Sequence, residues 1–179
     1  MSQYSLVGLC GSLRAESLNR KLMMAAVKSF DPAEFTDGNL RFPLFDEDLE
    51  AEGIPTEVTE LSDQIKAADA VVIACPEYNK APPGVLKNAL DWLSRGPAKP
   101  WADKPVALIS ATGGRAGGER TQFALRLMMV PFRPRLLMGP EVLVGGASEH
   151  FDADGALKTD SYIKLLDDLM AGLRAEIAR

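Results

Sequence analysis

Two periodicities alternate along this chain. Short apolar runs, of the kind shown by strands buried on both faces, give way to longer stretches whose apolar positions recur at helical spacing. The first run covers residues 5–10, and a helix is expected over 17–30, where Leu18, Leu22, Ala26 and Phe30 share one face. A weaker strand is expected within 35–44, blurred by Asp37-Gly38-Asn39. A helix after Pro55 carries the stripe Val58, Leu61, Ile65 and Ala68. The third run covers 70–75 and leads to a helix over 83–94. A fourth strand over 106–111 runs into the turn Gly113-Gly114-Arg115-Ala116-Gly117-Gly118 and a helix over 119–130. Pro131 and Pro134 stop that helix, since proline lacks the amide and clashes with the preceding turn. A fifth strand falls at 135–138, with a continuation at 142–144, and a last helix over 160–177 presents Tyr162, Leu166, Leu169, Leu173 and Ile177.

Strand and helix signals that alternate to the end of a chain indicate parallel βα units rather than separate α and β regions. Five such units predict an α/β fold: a flavodoxin-like doubly wound five-stranded parallel sheet, order 2-1-3-4-5, with helices on both faces. No repeat, low-complexity tract or long linker interrupts the 179 residues, so 1–179 reads as a single domain. In that strand order the winding reverses between strands one and three. Ligands of open α/β sheets bind outside the carboxyl ends of the strands at such a switch point. The loops that follow residues 10 and 75 are therefore the ones to inspect.

The first loop reads Gly11-Ser12-Leu13-Arg14-Ala15-Glu16-Ser17-Leu18-Asn19. A helix start offers unpaired amides and a positive dipole end, which suit a phosphate. Ser12 and Ser17 add hydroxyl donors, Asn19 an amide and Arg14 a charge-assisted donor, while Gly11 lets the backbone turn. The competing reading of the same residues is a plain turn with Ser17 as an N-cap. Neither G-x-G-x-x-G nor a Gly-Lys-Ser/Thr P-loop is present, so a monophosphate held by side-chain donors fits better than a pyrophosphate. The second loop, Pro76-Glu77-Tyr78-Asn79-Lys80-Ala81-Pro82-Pro83, is polar, aromatic and bent by proline. Together the two resemble the halves of a flavin mononucleotide (FMN) pocket.

Composition narrows the alternatives. Apolar residues at 46%, charged residues at 25% and a net charge of −5 suit a soluble domain without a nucleic-acid or anionic-membrane partner. No apolar run approaches the roughly 20 residues of a membrane span. Met1-Ser2-Gln3-Tyr4 lacks a basic region, so no signal peptide is expected and the location reads as cytoplasmic. Cys10 and Cys75 read as small buried hydrophobes in a reducing cytosol. One histidine, His150, excludes a multi-histidine metal site and argues against a hydrolase triad. If the chain is an enzyme, a cofactor rather than side chains carries the chemistry.

Gly11-Ser12-Leu13-Arg14-x-x-Ser17-x-Asn19, then Pro76-Glu77-Tyr78-Asn79, then Pro83-Gly84-Val85-Leu86-Lys87-Asn88-Ala89-Leu90-Asp91-Trp92, resembles the NAD(P)H-dependent FMN reductases, a family that includes quinone, chromate and azo-dye reductases. Gly117-Gly118-Glu119-Arg120 and Pro140-Glu141 extend the resemblance over nearly the whole chain. It implies an oxidoreductase that passes hydride from NADPH or NADH through FMN to free flavin, quinones or other small oxidants. It assigns the FMN phosphate to Ser12, Arg14, Ser17 and Asn19. Pro76, Glu77, Tyr78 and Asn79 fall to the ribityl chain and flavin ring, and Thr112 and Gly113 to the pyrimidine edge. Ala81 stands where many relatives have serine, and Pro82 stiffens that turn. Arg120 and Glu141 match positions of subunit contact, and the apolar run Phe123, Leu127, Met128, Met129 and Val130 adds to the expectation of a homodimer or homotetramer. No catalytic side chain and no metal are expected. The alternative on the same fold is a non-enzymatic electron carrier or redox sensor.

Overall fold

The computed structural model describes residues 3–179; Met1 and Ser2, part of the segment judged above for leader character, lie outside it. Its sheet contains β1 (Ser5–Cys10), β2 (Glu34–Gly38), β3 (Ala70–Ala74), β4 (Pro105–Ala111), β5 (Arg135–Leu136) and β6 (Val142–Val144). The order is β2-β1-β3-β4-β5, with β6 also on β4, and every pair is parallel. The winding reverses between β1 and β3, as the pattern of runs predicted.

Every residue of β3 and β4 is buried, which is why these runs are continuously apolar. One face is covered by α1 (Leu18–Phe30) and α6 (Asp160–Ile177), which insert Leu22, Met23, Phe30, Leu166, Met170 and Leu173. The other is covered by α3 (Thr56–Ala67), α4 (Gly84–Leu93) and α5 (Glu119–Met129), through Leu61, Ile65, Leu86, Trp92, Leu125 and Met129. In α6 the ends of the expected stripe, Tyr162 and Ile177, are only partly buried, and Met170 takes a core place instead.

Three elements depart from the pattern. Strand two is Glu34–Gly38 rather than part of 35–44, because β1 pairs with Asp37 and Gly38 in register despite their turn character. Asn39 ends it by accepting the Arg41 amide on its side chain at 2.9 Å. A short helix, α2 (Glu47–Glu52), follows and has no buried residue, so it left no apolar stripe to read. Its signal was instead a cap, Asp46, which accepts the Asp48 amide at 2.9 Å.

The fifth strand is split. β5 pairs with the start of β4 and β6 with its end. Pro140, between them, has no amide to give a ladder. Proline likewise marks the end of α5 at Met129; Pro131 is taken into a single 3₁₀ turn, Val130–Phe132.

Candidate functional site

A cleft of about 170 Å³ opens at the carboxyl ends of β1, β3 and β4, at the switch point. Ser12, Arg14, Ser17 and Asn19 line it from the first loop, Pro76, Glu77 and Tyr78 from the second, and Thr112 and Gly113 from the end of β4. Of the residues the sequence nominated, only Asn79 falls outside it. Asn79 occupies the tip of a tight turn, at φ 51°, closed by reciprocal backbone bonds between Tyr78 and Ala81 at 3.0 and 3.1 Å. Leu18 and Ala111 also line the cleft. Neither carries a polar side chain that would have signalled it.

The first loop is built around the start of α1. Ser17 is the N-cap: its hydroxyl accepts the Arg20 amide at 3.4 Å. Capping and anion binding are compatible here, since each helix start leaves four amides without intrahelical partners. Ser12 and Ser17 are buried, whereas Arg14 is exposed and donates from Nη2 to the Glu16 carbonyl at 2.7 Å. That contact uses one of five guanidinium donors.

Gly11 is favoured by the close approach of its neighbours rather than by a left-handed turn. Its amide donates to the Ala74 carbonyl at 2.8 Å, and a Cβ there would stand 3.2 Å from Pro76 Cδ. The two loops therefore touch at their roots. They also meet at the rim, where the Tyr78 hydroxyl lies 3.5 Å from that of Ser12.

Asn19 has a more constrained place than the sequence suggested. Buried within the first turn of α1, it pairs with both backbone groups of Ala111 in β4. Its carboxamide thus ties the first loop to the third, leaving one N–H of the amide for any other partner.

The second loop is held from α5. Thr121 donates its hydroxyl to the Pro76 carbonyl at 3.2 Å, and its amide donates to a Glu77 carboxylate oxygen at 3.3 Å. Arg120 approaches the other Glu77 oxygen at 3.8 Å. A carboxylate beside the open amides of a helix start is favourably placed. Thr121 was not legible in the sequence, because its partners lie some 45 positions away along the chain. Burial pushes the Cys75 thiol, 3.2 Å from the Thr121 hydroxyl, up to about 12, so this cysteine is a packed hydrophobe and not a nucleophile.

The turn after β4 needs its later glycines. Gly117 and Gly118 have φ of 62° and 93°, and a Cβ on Gly118 would fall 2.8 Å from the Ser110 hydroxyl oxygen. That hydroxyl donates to the Gly117 carbonyl at 2.6 Å and closes the loop against the sheet. Gly113 and Gly114 are exposed on the outer side, where a planar group can approach the backbone.

This cleft is smaller than the roughly 300–1,000 Å³ of sites that enclose a whole ligand. Its buried Ser12 and Ser17 hydroxyls beside the start of α1 suit a phosphate group. Among the described residues no group of His, Cys, Asp or Glu is arranged to hold a metal.

Fold and cleft define a flavodoxin-like protein with an open cleft at its switch point. The sequence pattern of the NADPH-dependent FMN reductases matches residues 4–149. An NAD(P)H-dependent FMN reductase of Pseudomonas aeruginosa is 38% identical over 177 residues, spanning 97% of this chain and 95% of that one. A quinone reductase of Escherichia coli K12 is 40% identical over 150 residues, covering 81% and 79% of the two chains. Among solved structures, the flavoenzyme NAD(P)H:(acceptor) oxidoreductase FerB of Paracoccus denitrificans superposes with a TM-score of 0.88 at 30% identity, covering 98% and 97%. The chain belongs to the NADPH-dependent FMN reductase family, and with it to the oxidoreductases that use FMN and NAD(P)H.

Proposed function

We propose that this protein holds FMN in the switch-point cleft and uses it to pass hydride from NADPH or NADH to quinones, free flavin or other small oxidants. The observation that carries the reading is the convergence of the two loops, with buried Ser12 and Ser17 at the start of α1 facing Pro76, Glu77 and Tyr78. FMN supplies hydride acceptance and release at its ring; the protein supplies placement and electrostatics.

Ser12, Ser17, Arg14 and the amides of the loop bind the phosphate end. Asn19 acts by fixing the start of α1 to β4, and by its one remaining N–H. Pro76, Glu77 and Tyr78 flank the ribityl chain and ring, with Asn79 shaping the turn beside them. Thr112 and the backbone of exposed Gly113 and Gly114 would border the pyrimidine edge of the ring, and their amides would supply dipoles that favour negative charge there. No side-chain acid or base is needed for hydride transfer itself, which accords with the inert Cys75 and with His150 not being among the residues that line the cleft.

The open rim admits acceptors of several shapes, chromate and azo compounds among those to be assayed. Helix α5 presents Phe123 and Leu127 to solvent at 57 and 74% exposure, and the 3₁₀ turn that follows presents Val130 at 64%. Such a stripe suits a homodimer or a tetramer built from dimers. Two unpaired buried cysteines suit a cytoplasmic protein, and no helix among the described residues is long and apolar enough to cross a membrane.

The deciding experiment is an anaerobic titration. The purified protein takes up one FMN per subunit, and the bound flavin bleaches with NADPH or NADH and recovers its colour with a quinone. A protein that takes up no flavin at micromolar concentrations overturns the reading.

A further inference from the structure

This is an acidic protein, net charge −5, yet three guanidiniums from three segments converge on one cleft beyond the phosphate loop. Arg14 comes from the loop itself, Arg20 from the first turn of α1 and Arg41 from the segment after β2. The cleft measures about 310 Å³ and is distinct from the switch-point cleft; Arg14 lines both.

Each arginine is oriented by a contact that leaves most of its donors open. Arg14 donates to the Glu16 carbonyl at 2.7 Å and Arg41 to the Leu13 carbonyl at 3.3 Å, while Arg20 pairs with Asp37. The Glu16 carboxylate is turned toward Lys21, 3.2 Å away. Of the three, Arg20 is the one in an ion pair, with Asp37, while Arg14 and Arg41 are held by backbone carbonyls, which carry no compensating charge. The segment that carries Arg41 is anchored on both sides. Asn39 accepts the Arg41 amide, and the Asn88 amide and Trp92 indole each donate to the Pro43 carbonyl at 2.9 Å. Uncompensated like charges on a fixed frame repel, and a multivalent anion removes that cost. Forked guanidinium donors match phosphate oxygens.

We propose that this arginine cleft binds a second phosphate group, separate from the FMN phosphate, with Arg14 standing between the two anions. The identity of the first anion rests on the FMN reading; the second site does not. Two sources share the chemistry. One is the 2′-phosphate of NADPH, the group that separates it from NADH and that an arginine near the ribose accommodates in α/β dinucleotide sites. The other is free phosphate or pyrophosphate.

The test uses FMN-loaded protein, titrated calorimetrically with pyrophosphate and with 2′-AMP, beside Arg41→Gln. Wild type binds at least one of them, and Arg41→Gln weakens that binding by about tenfold or more, the loss of one charged hydrogen bond, with FMN affinity unchanged. If 2′-AMP competes with NADPH, and Arg41→Gln raises the KM for NADPH but not for NADH, the coenzyme is the source. If pyrophosphate binds without competing, the source is free phosphate. No binding of either anion, or equal binding by Arg41→Gln, overturns the proposal. Should the protein take up no FMN, the flavin reading fails by itself. The titration is then run on flavin-free Ser12→Ala protein, where the same comparison with and without Arg41→Gln decides the second site.

Discussion

The carboxamide of Asn19 closes a ring on the backbone of Ala111, donating to its carbonyl at 2.7 Å and accepting its amide at 3.0 Å across 92 positions of sequence. This joins the start of α1 to the end of β4, the two elements whose termini form opposite walls of the cleft. Replacing Asn19 with alanine leaves a buried N–H and a buried carbonyl without partners. At about 1–3 kcal/mol for each unsatisfied group, Asn19→Ala loses about 2–6 kcal/mol in urea unfolding and weakens FMN binding along with it. Unchanged stability would show that water replaces the bridge.

Arg14→Ala separates phosphate binding from folding. The side chain is exposed and its removal opens no cavity, so the unfolding midpoint stays within experimental error. A hydrogen bond to a charged group contributes about 1.5–3 kcal/mol, which is about ten- to more than a hundredfold in FMN affinity. Riboflavin, which lacks the phosphate, binds mutant and wild type alike. Equal losses for both flavins would return the loop to a capped turn.

Cys75 gives a pH signature. Its thiol titrates near 9 when free and at about 12 when folded, because burial disfavours the thiolate. The raised value means that the folded state holds the proton longer. The stabilisation is complete below pH 9 and is lost as pH climbs toward 12, at up to about 1.4 kcal/mol per pH unit for a single group. Urea unfolding of wild type and Cys75→Ala between pH 8 and 11 isolates this slope, since all other groups titrate in both proteins. Identical slopes would exclude it. Iodoacetamide at pH 8 likewise leaves Cys75 unmodified until the protein unfolds.

The exposed stripe on α5 predicts association. Static light scattering returns at least twice the 19.3 kDa chain mass for wild type. Phe123→Glu combined with Leu127→Glu places charge in the apolar contact and shifts the protein toward the monomer without touching the core, because both side chains face solvent in the single chain. A wild-type monomer over a wide concentration range would assign the stripe no such role.

The sequence by itself determined the sheet order, since continuous apolar runs at β1, β3 and β4 interleaved with 3.6-period stripes admit few other packings. It also brought the two site loops together, because the switch point follows from that order and not from any contact between their residues. It resolved β2 poorly, where Asp37 and Gly38 read as a turn and pair as strand only because β1 offers its edge. Tertiary structure alone decided what each polar side chain does. Asn19 looked like a phosphate donor by its neighbours and is largely spent on Ala111; Thr121, which no motif or stripe singles out, holds Pro76 and Glu77 in place. Periodicity records which face of an element is buried, a property of neighbours three or four residues apart. A hydrogen bond between residues 92 positions apart leaves no such trace, because its strength depends on geometry to within a few tenths of an ångström that only the assembled sheet provides.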